Sequence, residues 1–211
     1  MANQYYDFPY LYIENFFTAG QCRDIVENTE QDCNALNAEI KTTILDSIVV
    51  PAIDDSIRKT VSCVLSEYSE DAYNKTFLSH QSIIESFFKI ALITTSKVQT
   101  LKYTEGSFYV KHADDSNEVV NNDKETIGFL KVAPHRKLTS VLFITTNGEK
   151  NDFEGGELVF NYLYDSFGNN IVIRPKAGDM IIFPSNPIFS HEVKLVRSGT
   201  RITLVRWYNT I

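Results

Sequence analysis

Apolar residues recur every three to four positions in the first part of this chain and every second position later, so the hydrophobic pattern divides the sequence into two regimes. Thr18-Ala-Gly-Gln21 has capping-box spacing, with Phe17 before the cap and Cys22, Ile25 and Val26 at helical positions after it. That predicts a helix from about residue 19 to the low 30s. Ile57, Val61, Val64, Leu65 and Tyr68 repeat at the same period behind Asp54 and Asp55, and Ile83, Ile84, Phe87, Phe88 and Ala91 do so behind His80. Two further amphipathic helices are expected there. Beyond about residue 97 the period falls to two, in runs such as "LTSVLFITT", "GELVFNYLY", "GDMIIFPS" and "TRITLVRWY" punctuated by Gly, Asn, Asp and Pro. Most connections between these runs are too short for crossover helices, so the sheets should be mainly antiparallel, as in a sandwich or jelly roll. Several strands are apolar on both faces, which implies that N-terminal helices buttress the outside of one sheet. The expected class is α+β in one domain, with residues 1–97 a mainly helical support and 98–211 the β core.

A chain of 211 residues suffices for one buried core. The formal net charge of −7 argues against a surface that tracks nucleic-acid phosphates. No run approaches the eighteen or so apolar residues that cross a bilayer, and "MANQYYDFPYLYIENFF" lacks a basic region followed by an apolar one, so no membrane role and a cytoplasmic location are expected. Cys22, Cys33 and Cys63 have neither CxxC spacing nor an even count, which reads as reduced structural thiols.

"FYVKHADDS" places His112 and Asp114 two residues apart within an apolar run, a weak signal alone. Support comes from "SHEVKLVRSGTRITLVRW", where His191 opens one strand and Arg201 the next, so that in a hairpin the two would lie side by side. Alternation puts Arg201, Thr203, Val205 and Trp207 on one face. An inward arginine in an apolar barrel is costly unless it meets an anion such as a ligand carboxylate. His112, Asp114 and His191 supply two imidazoles and one carboxylate, the set that occupies one face of an octahedron around non-haem Fe(II) and leaves three positions open. A dianionic keto acid could chelate there and reach Arg201 with its far carboxylate.

These residues resemble the Fe(II)- and 2-oxoglutarate-dependent dioxygenases, and within them the prolyl 4-hydroxylase-like branch. "YTEGSFYVKHAD", Tyr103 to Asp114, is similar to that branch's Tyr-x-x-Gly-x-x-Tyr-x-x-His-x-Asp segment, and "RKLTSVLFIT", "DFEGGELVF" and "PKAGDMIIFPS" resemble the strands and Gly-Gly turn that follow it. The similarity covers about residues 98 to 208. It implies a double-stranded β-helix in which His112, Asp114 and His191 form the catalytic iron centre, Arg201 holds the distal carboxylate of 2-oxoglutarate and Tyr103 hydrogen-bonds the same co-substrate. Phe143 stands where close relatives often carry a second tyrosine, so Thr203 or Thr139 supplies the missing hydroxyl or the pocket is drier. The implied reaction uses Fe(II), 2-oxoglutarate and O2, with ascorbate an optional reductant, and hydroxylates an unactivated C–H with release of succinate and CO2. The substrate could be a peptidyl proline, another protein side chain or a small molecule.

Other readings compete. A cupin-like jelly roll would bind metal without 2-oxoglutarate. A nucleic-acid demethylase would need a second arginine six positions after Arg201, whereas Arg206 comes five after it, on the opposite face. Tyr103, Tyr109 and Trp207 could equally be packing aromatics, and His80 and His135 receive no role. Asp115 to Lys137 is a long insertion with an apolar end, "IGFLKVAP", read either as a lid carrying Ile127, Phe129 or Leu130 or as a disordered surface loop.

Overall fold

The computed structural model describes residues 10–31, 36–44, 48–52, 54–123, 125–148 and 151–211. Two antiparallel sheets dominate. The larger has eight strands. Leu11–Ile13, Met180–Pro184, Leu138–Phe143, Arg201–Thr210, Gln99–Tyr103, Val61–Cys63 and Leu36–Asn37 follow in that order, and Leu92–Thr95 pairs with the far end of Arg201–Thr210. The smaller sheet has five, in the order Asn170–Ile173, Leu158–Tyr164, His191–Val193, Phe108–His112 and Arg58–Lys59. Leu101, Tyr103, Val141, Phe143, Ile181, Phe183 and Val205 of the larger sheet share one buried cluster with Leu158, Phe160, Ile173 and Val193 of the smaller. This face-to-face arrangement fits a jelly roll.

The other face of the larger sheet is covered as well. Leu138, Leu142, Met180, Ile182, Ile202, Leu204 and Tyr208 pack against Phe16, Phe17, Cys22, Ile25, Tyr73, Phe77 and Ile84, which come from helices α1 (Ala19–Gln31) and α2 (Glu67–Phe88) and the turn before α1. All six residues of Leu138–Phe143 are buried, because each of its faces meets a different layer. Tyr73 reaches through this layer, its hydroxyl 2.8 Å from Ser140 Oγ and 2.9 Å from the Tyr208 hydroxyl, so the polar groups there are mutually satisfied.

The first helix forms as expected: the Thr18 backbone amide donates to Gln21 Oε1 at 2.9 Å and the Gln21 amide to Thr18 Oγ1 at 3.3 Å. The helix expected over residues 57–68 does not form. Arg58–Lys59 and Val61–Cys63 are strands, and α2 begins only after its cap Ser66, whose side chain accepts from the Ser69 amide. Ile57, Val61 and Val64 have a helical spacing by coincidence; the β-branched run and the pairing of Arg58 with Tyr109 decide for sheet. The third expected helix merges into α2, so His80 lies in mid-helix rather than at its start. Among the described residues of 10–97, seven strands stand beside the two helices.

The described residues of 115–137 carry a regular hairpin rather than a disordered loop. Ser116–Val120 and Thr126–Lys131 pair as a hairpin, closed at its base where the amides of Val132 and Ala133 donate to the Asp115 carbonyl at 2.8 and 2.9 Å. Lys111 ties one strand down through Glu118 at 2.6 Å. Cys22 is a free, buried thiol and Cys63 is buried, while Cys33 lies outside the described residues. Among the described residues no helix is long and apolar enough to cross a membrane.

Candidate active site

Strand Phe108–His112 ends at the open edge of the inter-sheet core and pairs with His191–Val193, so that His112 and His191 are direct cross-strand partners with ring centroids 4.4 Å apart. Asp114 follows two residues on. One ligand atom each from His112, Asp114 and His191 lies within 4.8 Å of the others, close enough to converge on one ion. The imidazole tautomers suit that purpose. His112 Nδ1 is 2.9 Å from the Val110 carbonyl and His191 Nδ1 is 3.0 Å from the Phe189 carbonyl. A carbonyl can only accept, so each Nδ1 carries a hydrogen, and each ring in its neutral form has the lone pair of Nε2 for the site.

The charges are set accordingly. Burial, helped by the neighbouring His191, pushes the His112 pKa down to about 3, which keeps it neutral. Burial opposes the charge of Asp114, but His191, His112, the Thr139 hydroxyl and Arg136 outweigh it and hold the carboxyl below the usual carboxylate range. Thr139 Oγ1 donates to Asp114 Oδ2 at 2.6 Å and lies 2.9 Å from Ser185 Oγ, so the carboxylate is fixed by a chain of hydroxyls from two adjacent strands. Arg136 Nη1 donates to the Asp114 carbonyl at 3.1 Å. Tyr109 stacks on His112, with centroids 3.5 Å apart and planes 14° apart.

Arg201 lies deeper in the same cleft, 2% exposed, its guanidinium 4.7 Å from the centroid of the Tyr103 ring, its cross-strand partner. Its Nη1 reaches Thr203 Oγ1 at 3.5 Å, its Nε has no hydrogen-bond partner, and among the described residues no carboxylate lies within ion-pair distance. Burial lowers its pKa, but a guanidinium remains charged. Space for the group is made by the "EGGE" turn: a Cβ on Gly156, at φ +63°, would sit 3.0 Å from Arg201 Cδ.

His191 and Arg201 are not neighbours in a hairpin, which corrects that expectation. Strand Val196–Gly199 intervenes and pairs with Phe153–Gly155, and the two residues belong to opposite sheets that face each other across the cleft. One cavity is nevertheless lined by His112, Asp114, His191, Tyr103, Arg201 and Thr203, the residues given a metal or co-substrate role in the sequence. Arg58 and Arg136 line it too and were not singled out. Arg58 was hidden by the false helical period of residues 57–68, and Arg136 had only its place at the entry of the "LTSVLF" strand to mark it.

Comparison with known proteins agrees with this geometry. Residues 98–209 match the 2OG-Fe(II) oxygenase superfamily, and the chain belongs to that family. Curated relatives include a PKHD-type hydroxylase of Psychrobacter sp., 29% identical over 52% of this chain and 36% of that protein, and another of Idiomarina loihiensis, 27% identical over 64% and 50%. The chain thus spans half or less of these relatives' length. The fold is shared across almost the whole chain with a Pseudomonas putida prolyl-4-hydroxylase, at TM-score 0.67 and 18% identity, covering 96% of this chain and 93% of that one. A Trichoplax adhaerens prolyl hydroxylase in complex with a hypoxia inducible factor peptide fragment aligns at TM-score 0.61 and 18% identity, over 96% and 84%. The cupin-like alternative is not favoured.

Proposed function

We propose that this chain is an Fe(II)- and 2-oxoglutarate-dependent hydroxylase acting on an unactivated C–H bond, with a prolyl residue of a peptide or protein as the leading candidate. The observation that carries the reading is the pairing, in one cleft, of a His112/Asp114/His191 triad with a buried arginine that has no counter-ion. The donor set fits Fe(II): two Nε2 lone pairs and one ionised carboxylate on one side leave the remaining positions open. Arg201, whose buried Nε has no partner, fits the distal carboxylate of 2-oxoglutarate, since a guanidinium fork pairs bidentately with a carboxylate.

Each residue has a separable task. His112, Asp114 and His191 hold the metal, Thr139 keeps Asp114 oriented and ionised, and Arg201 with Tyr103 fixes the co-substrate's far end. Thr139 is engaged with Asp114, whereas Thr203 is the cross-strand partner of Phe143 and lies within reach of Arg201, which supports Thr203 as the hydroxyl that stands in for the missing tyrosine. Val141, Leu158 and Val205 make the walls apolar and limit water. When bound, the iron with 2-oxoglutarate and O2 supplies the oxidising power that places one oxygen atom in the substrate C–H bond and the other in succinate, with loss of CO2. The free thiol of Cys22 suits a reducing compartment and supports a cytoplasmic site of action.

The test is succinate release with Fe(II), 2-oxoglutarate and ascorbate against pooled peptides and metabolites. Substrate-dependent succinate with one oxygen atom added to a substrate is the expected result. Failure of the protein to bind both Fe(II) and 2-oxoglutarate would overturn the reading.

A further inference from the structure

The cleft contains more positive charge than the metal and co-substrate need. Its lining carries three arginines, Arg58, Arg136 and Arg201, against two carboxylates, Asp114 and Glu39. A divalent metal and a dianionic 2-oxoglutarate cancel each other, so loading the site leaves the balance at 3 − 2, one positive charge in excess. With Arg201 assigned to the co-substrate, the excess resides on Arg58 and Arg136.

Arg58 is 7% exposed. It sits on a two-residue strand opposite Tyr109, with its guanidinium 4.7 Å from the centroid of that ring. Nη1 donates to the Glu39 carbonyl at 3.0 Å, Nε is buried without a partner, and among the described residues no carboxylate comes within ion-pair distance. The Arg136 guanidinium lies 3.7 Å from the centroid of the Trp207 ring, and among the described residues it too has no carboxylate within ion-pair distance. Burial lowers the pKa of Arg136, with Asp114 and Tyr109 opposing and the nearby charge of Arg58 adding to the fall. Burying Arg58 without a carboxylate partner is costly, a cost that a bound anion would offset. From Arg136 and Trp207 a second groove continues the cleft, lined by Lys97, His135 and neutral residues and by no carboxylate, on a chain whose overall charge is −7.

Resting on the oxygenase reading above, we propose that Arg58 and Arg136 form a carboxylate-binding subsite at the mouth of the cleft, and that the substrate is an acidic one whose carboxylate lies beside the C–H bond to be hydroxylated. The carboxylate pairs with Arg58, and Arg136, fixed by Trp207 and the Asp114 carbonyl, lends the second charge. The acid-free groove beyond Arg136 favours an acidic peptide segment over a free small acid, the other source of the same chemistry.

The experiment loads the full chain with Mn(II) and 2-oxoglutarate, verifies both by calorimetry, and measures binding of two amidated peptide pools with a central proline, one with glutamate in the flanks and one with glutamine at the same positions. A third arm uses free amino acids and dicarboxylic acids beside their amides. Binding of the glutamate pool at least about tenfold tighter, a difference erased by Arg58→Gln and partly kept by Arg58→Lys, is expected. A preference confined to the free acids also supports the subsite and assigns its ligand to small molecules. Equal binding of acids and amides in protein that holds both Mn(II) and 2-oxoglutarate overturns the subsite alone. Protein that binds neither overturns the oxygenase reading and this subsite with it.

Discussion

Strand Arg201–Thr210 carries an arginine on each face, and their surroundings differ. Arg206, on the helix side, donates from Nε to the Ser96 carbonyl at 2.8 Å and from Nη1 to Asn74 Oδ1 at 2.6 Å, beside the closed Tyr73–Ser140–Tyr208 network. Arg201, on the cleft side, is more deeply buried and less satisfied, and Trp207 Nε1 on the same face is likewise without a partner. One face of the sheet is finished by the protein itself. The other keeps buried polar groups open, which a fold tolerates where a ligand completes them.

The two faces should therefore respond differently to mutation. Asp114→Ala removes the only carboxylate of the triad, and the affinity for Mn(II), read by calorimetry, should fall more than about 100-fold, or about 2.8 kcal/mol. Next comes Arg206→Ala, which removes two charge-assisted hydrogen bonds. It should lower stability to urea by about 2 kcal/mol while leaving metal affinity unchanged; a loss of metal binding without a loss of stability would erase the distinction between the faces. Thr139→Val keeps shape but removes the donor to Asp114, and should weaken Mn(II) by about tenfold, the lower end of what partners of metal ligands contribute.

A further contrast lies in the pH dependence of the metal-free protein. His112 is depressed from its ordinary 6.5 to about 3, so between those values the unfolded chain binds a proton that the folded one does not. Stability therefore falls as pH drops from 6.5 towards 3, and the depressed Asp114 adds to the fall below the ordinary carboxylate pKa. Urea titrations across that range should show the slope, and His112→Gln should flatten its upper part.

What the sequence revealed follows the same division. The triad, Arg201 and the antiparallel core were legible because strand alternation fixes which residues share a face, and an inward arginine in an apolar strand has few explanations. Arg58 was not legible. Its strand is two residues long, and the apolar spacing around it imitates a helix, so only the pairing with Tyr109 reveals its place. The hairpin at 116–131 was missed for a related reason: its strands are half exposed, and partners such as Lys111–Glu118 and Lys131–Asp115 carry no period. The supposed neighbours His191 and Arg201 lie on opposite sheets because Val196–Gly199 is a separate strand, which spacing alone does not disclose.

The reading of the open face stands on Arg201, and the most direct test is calorimetric titration of 2-oxoglutarate into Mn(II)-loaded wild type and Arg201→Ala, with thermal unfolding of both. The expected result is a loss of affinity of about 100-fold, about 2.8 kcal/mol, with the unfolding temperature unchanged or higher because an unpaired buried charge has been removed. Equal affinity in the two proteins, or a variant that loses stability as Arg206→Ala does, would contradict it.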